Sequence, residues 1–170
     1  MGGYNAARVT RVSKEEQAAD AYGWLVGSWE LDCLRYRAVP VALNGEAHFG
    51  WVLEGRAVQD VWIMPRITER SASSSDRNNN MYGTTLRVWD ASIQAWRIYW
   101  RNPVHNHSQD QIGRWSGNEV VQIGTRFDGT PTRWRFTEIT GQSFHWLGEA
   151  LEPDGKSWRL EGEFRAKRLR

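Results

Sequence analysis

From Trp29 to the C-terminus, apolar and polar residues alternate in short runs, and turn-forming residues break the pattern at close intervals. Alternation with period two puts alternate side chains on opposite faces of an extended strand, so such a chain folds as half-buried β-structure. Trp29, Leu31 and Cys33 alternate with Glu30, Asp32 and Leu34, and further runs fall at 46–54, 56–64, 82–89, 95–102, 110–116, 118–126, 132–139, 143–151 and 157–168. Asn44-Gly45, Glu54-Gly55, Ser116-Gly117, Asp128-Gly129, Thr140-Gly141 and Asp154-Gly155 read as tight turns between them. Only 65–81 and 103–109 read as longer irregular connections. An open antiparallel meander of this size curls, and closure removes its two exposed edges. A two-sheet sandwich would need longer crossovers. The expectation is an all-β, antiparallel up-and-down barrel of about 8–10 strands.

Ahead of the strands, residues 1–12 lack periodicity and read as a flexible arm. Ser13 and Glu16 form a capping box that opens a short helix through Ala18, Ala19, Ala21 and Tyr22, stopped by Gly23 or Gly27. Residues 13–170 are therefore expected to form a single barrel domain with a short N-terminal helix, a size that suits one domain. Met1 to Glu16 contains no apolar core of a secretory signal, and no run approaches the roughly 20 apolar residues of a membrane-spanning helix. A cytoplasmic setting is expected. Cys33 is the only cysteine, which excludes an internal disulfide and a thiolate metal cluster. Lys+Arg 22 against Asp+Glu 20 is too even to indicate nucleic acid or an anionic membrane as partner. The 11 tryptophans are more than closing a small core requires, and point to a wide, aromatic-lined interior.

Trp24-Leu25-Val26-Gly27-Ser28-Trp29-Glu30 resembles the Gly-x-Trp segment with which lipocalin-like (calycin) proteins lead a short helix into their first strand. Val88-Trp89-Asp90 through Trp96-Arg97, Trp100-Arg101-Asn102-Pro103, and Ser143-Phe144-His145-Trp146 through Gly155-Lys156-Ser157-Trp158 are similar to a family of bacterial barrels related to the DUF1579 group of lipocalin-like domains. The resemblance covers roughly residues 20–168. It implies a barrel with an internal cavity and no particular activity.

The same parity assigns Trp158, Leu160 and Phe164 inward, and Arg159, Glu161, Glu163 and Arg165 to solvent. Trp62, Trp100, Trp134 and Trp146 become candidate walls of a ligand pocket, with Asn102, Gln122 and Glu138 as polar anchors. The expected function is binding of a small apolar or aromatic molecule inside the barrel. The alternative is a cofactor-independent lyase, isomerase or cyclase in the same cavity, with Asp60, Glu138, His105 or His107 as acid or base. His105 and His107 with Asp110 are the only His/carboxylate cluster, but a third His is missing and no metal is expected. Haem bound through His48 or His145 is a lesser alternative, and no cofactor is expected. The partners expected are a small hydrophobic or aromatic molecule and, as an option, a second copy of the chain in a homodimer. The segments 68–81 and 103–109 are candidate gates of the mouth, with a closed floor near Trp29.

Overall fold

The computed structural model describes residues 20–70 and 81–170. Ten strands follow one another: β1 Gly27–Tyr36, β2 Val39–Val52, β3 Ala57–Met64, β4 Met81–Asp90, β5 Ala95–Asn102, β6 His107–Ser116, β7 Glu119–Thr125, β8 Pro131–Thr137, β9 Ser143–Leu151 and β10 Trp158–Arg168. Each pairs antiparallel with the next, and β10 pairs back onto β1, so the sheet closes into an up-and-down barrel. Closure leaves no strand edge open.

The Ser13 capping box and the proposed gate residues 71–80 lie outside the described residues. From Asp20 onward the chain makes a turn and then a single 3-10 turn, Gly23–Leu25, in place of the continuing helix expected through Tyr22. This short segment plugs one end of the barrel. Tyr22 meets Trp96 edge to face at 5.2 Å, and Trp24 sits between Trp29, Phe136 and Phe144. Edge-to-face geometry sets each ring's positive edge against its neighbour's negative face. Both indoles donate to backbone carbonyls, Trp24 to Ala21 and Trp29 to Leu25. Arg168 fastens the plug by donating to the carbonyls of Trp24, Val26 and Gly141 while its guanidinium lies 4.1 Å from the Trp29 ring centre. The floor near Trp29 is closed, as the sequence suggested.

One turn assignment is corrected. Asn44-Gly45 lies inside β2, paired with Asp32 and Leu31, and the β1–β2 turn is Arg37-Ala38. Both turn residues adopt positive φ, 52° and 65°, the geometry of a two-residue hairpin loop. Gly45 serves another purpose. A Cβ there would sit 2.7 Å from the Ile63 carbonyl oxygen, so only glycine lets β2 approach β3 this closely.

Two β-bulges break the inward–outward alternation, one in β1 between Cys33 and Arg35 and one in β10 between Leu160 and Gly162. The strands face each other here, and the Ala38 N–H donates to the Glu161 carbonyl at 2.8 Å. An extra residue flips the facing of everything beyond it. The expectation that Glu161 points to solvent is therefore overturned, because the bulge turns it and Tyr36 toward the barrel's open end. Trp158 likewise leaves the interior: Arg133, an outer-face residue, stacks on it at 4.3 Å.

Candidate functional site

Inward-facing side chains form three levels between the plug and the open end. The lowest contains a buried ion pair: Arg87 Nη1 donates to Asp60 Oδ2 at 2.5 Å, with both side chains almost wholly removed from solvent. The Thr85 N–H donates to Asp60 Oδ1 at 2.8 Å, and the guanidinium lies against the rings of Tyr22, Phe49 and Phe136. Tyr22 donates its hydroxyl to Gln122 Oε1 at 3.2 Å, and Gln122 Nε2 donates to Gln111 Oε1 at 3.0 Å. Burial pushes the Tyr22 phenol above its ordinary range and keeps it a donor.

Above this floor is a cavity of about 330 Å³, walled by Trp62, Trp100, Trp134, Trp146 and Phe164. The wall rings touch edge-on: Trp134 and Trp146 at 5.4 Å, Trp62 and Phe164 at 5.4 Å, Trp100 and Trp134 at 6.2 Å. Glycines explain why these indoles line the barrel without filling it. A Cβ on Gly148 would lie 2.6 Å from the Trp146 ring, one on its cross-strand partner Gly162 would lie 2.9 Å from it, and one on Gly83 would lie 2.3 Å from Trp100. Each ring can lie back against bare backbone, and the axis stays open. On the β6 side the wall is polar: Gln109 is 3% exposed and donates through Nε2 to Thr132 Oγ1.

The open end carries Tyr36, Arg37, Asn102, His105, His107, Arg126 and Glu161. Arg126 grips Glu161 through Nη1 and Nη2, and Arg159 Nη2 donates to the same carboxylate at 2.9 Å. Burial, with Arg126 and His105 nearby, holds the His107 imidazole below its ordinary value and favours the neutral ring. Burial also pushes the Tyr36 phenol up to about 12. Met64 and Met81, the paired ends of β3 and β4, and the 103–106 turn all lie at this end. Of the two segments proposed as gates, 103–109 therefore borders the mouth, while most of 68–81 lies outside the described residues.

The structure brings together seven residues selected from the sequence: Trp62, Trp100, Asn102, His105, His107, Trp134 and Trp146 all line the cavity. It places three elsewhere. Asp60 is beneath the cavity, committed to Arg87 and Thr85, and Gln122 is deeper still, bonded to Tyr22. Glu138 faces away from the cavity, contrary to the expectation for an inward anchor. Strand β8 ends at Thr137, Glu138 takes φ 49°, and its exposed carboxylate accepts from Arg165 at 2.9 Å outside the barrel. Asp110 pairs with Arg101 on the outer wall and does not join the two mouth histidines. His48 bonds Ser28 and His145 bonds Glu163, both on the outside, so neither reaches the interior. Among the described residues, no group of three His, Cys, Asp or Glu side chains is disposed to hold a metal ion.

Parity missed Tyr36 and Glu161 because a bulge leaves no mark in composition. It passed over Gln109 and Arg87 as ligand-facing groups, although their positions beside Gln111 and Thr85 give them the right facing.

The chain matches no protein-family model, and no curated protein matches it. A closed antiparallel ten-strand barrel nonetheless fits a lipocalin-like fold in general. Its buried aromatic clusters are compatible with ligand binding, and among the described residues no helix is long and apolar enough to cross a membrane.

Proposed function

We propose that this barrel binds a small, flat, mostly aromatic molecule in its interior. The observation that carries this reading is the cavity of about 330 Å³, walled by four indoles and Phe164 above the buried Asp60–Arg87 layer. Its size is within the range of ordinary ligand pockets, and aromatic walls with a few polar groups are the usual construction. The resemblance to bacterial domains of the DUF1579 group belongs to this proposal, supported by the Trp24–Glu30 segment leading into β1. So does a cytoplasmic setting, in keeping with a single buried cysteine.

Naphthalene is a suitable first probe, with tryptophan fluorescence as the readout. Saturable quenching at one molecule per chain is expected, and Trp146→Ala should weaken it. Absence of saturable binding to naphthalene, indole and biphenyl alike would refute the proposal.

A second reading, a cofactor-independent enzyme, is favoured by His107. Its neutral imidazole in the cavity wall is the form a general base requires. Asp60 is occupied and Glu138 lies outside, so this reading rests on the mouth histidines. Mass spectrometry of released ligand separates the two: a carrier returns every ligand unchanged, and an enzyme does not.

A further inference from the structure

Two polar atoms on the inner face of β6 make no hydrogen bond within the chain, and both are buried: Gln109 Oε1 and Gln111 Nε2. One is an acceptor and the other a donor. The two residues are 3% and 4% exposed, so bulk water does not satisfy them. Gln109 lines the cavity wall, and Gln111, two positions along the same face, lies opposite Ile98 at the level of the floor. The other half of each amide is already used. Gln109 Nε2 donates to Thr132, and Gln111 Oε1 accepts from Gln122, which in turn accepts from Tyr22. This leaves over the oxygen of Gln109 and the nitrogen of Gln111. A buried donor or acceptor left without a partner is costly, and native cores rarely keep one.

Resting on the binding function proposed above, we propose that the ligand is a hydroxylated aromatic, with its hydroxyl between Gln109 and Gln111. A hydroxyl is the smallest group that donates and accepts at once. It completes Gln109 Oε1 as donor and Gln111 Nε2 as acceptor. A pure hydrocarbon satisfies neither. An ether oxygen reaches only Gln111, and a carboxylate presents no donor to Gln109. Alternate residues of one strand lie on the same face, so both amides rise from the inner side of β6. The ring attached to that hydroxyl then extends upward among Trp100, Trp134 and Trp146, so stacking and hydrogen bonding act on one rigid molecule.

The test uses the full chain and three probes of one shape: naphthalene, 2-naphthol and 2-methoxynaphthalene. The expected order places 2-naphthol about tenfold tighter than the other two, the effect of one well-made buried hydrogen bond. In Gln109→Met the ratio of naphthol to naphthalene affinity should fall to about one, with the circular dichroism spectrum of the variant reporting an intact barrel. Equal affinities for naphthol and naphthalene would overturn the inference and leave the binding function standing; the two glutamines would then be served by a bound water only. The inference is equally overturned if the naphthol preference survives both Gln109→Met and Gln111→Met. Failure of all three probes to bind would instead remove the binding function itself.

Discussion

Asp60→Asn isolates the ion pair beneath the cavity. Asparagine keeps an oxygen to accept from the Thr85 N–H, while the charged Oδ2 that accepts from Arg87 becomes an uncharged amide N–H donor. Arg87, its side chain 3% exposed, is then a buried guanidinium with no counter-charge. Breaking one side of such a pair typically costs about 3–5 kcal/mol, because the remaining ion keeps its desolvation penalty. For a chain of this length that corresponds to a fall in Tm of about 6–20 °C. Removing the cation as well, in Asp60→Asn/Arg87→Met, eliminates that penalty. The methionine keeps an unbranched, polarizable side chain against Tyr22, Phe49 and Phe136. The double variant should therefore recover to within about 2 kcal/mol of the unaltered protein, since a buried pair is worth little over apolar packing. Urea and thermal unfolding followed by circular dichroism supply the comparison. If the double variant is less stable than Asp60→Asn alone, the uncompensated charge is not the source of the loss and the reasoning fails.

Four further expectations follow from the same geometry. Gly148→Ala drives a Cβ into the Trp146 ring and should cost about 1–3 kcal/mol while weakening naphthalene binding; unchanged affinity would show that the ring is not held back by glycine. Tyr22→Phe leaves Gln122 Oε1 buried without its donor and should cost about 1–3 kcal/mol in urea unfolding, with no loss meaning that the bond contributes nothing net. Burial raises the Cys33 thiol to about 12, so a thiol reagent at pH 8 should spare the native chain and label it promptly in urea; equal rates would contradict the burial. For His107 the folded pKa lies below the unfolded one, so as pH falls through about 6.5 the unfolded chain takes up a proton that the folded chain refuses. Stability should drop across that window, less steeply in His107→Gln, and identical slopes would exclude His107 as the cause.

The barrel was legible because closure needs only period-two alternation and turns, and Glu54-Gly55, Ser116-Gly117, Asp128-Gly129 and Asp154-Gly155 all mark strand ends. Asn44-Gly45 misled because glycine serves close backbone approach as readily as it serves a turn, and one sequence does not separate the two uses. The wall tryptophans followed from parity alone. The mouth did not: Tyr36 and Glu161 reach it through facing bulges, which shift register without a compositional signature. Glu138 failed for a related reason, since parity extends a strand past the residue where a positive φ ends it. Pairing was legible only as a choice, because Arg87, Arg101 and Arg135 are all open to Asp60 in the sequence and nothing local selects Arg87, 27 residues away.

The central claim, that ligand sits among four particular indoles, is most directly tested by the tryptophan side-chain N–H signals in a two-dimensional NMR spectrum. Naphthalene titrated into the isotope-labelled chain should shift the signals of Trp62, Trp100, Trp134 and Trp146 in one saturable process. Those of Trp29 and Trp96, packed in the closed half, and of Trp51 and Trp115 on the outer wall should stay in place. Shifts confined to Trp51 and Trp115, or shifts spread evenly over all tryptophans without saturation, would mean that the barrel interior is not the binding site.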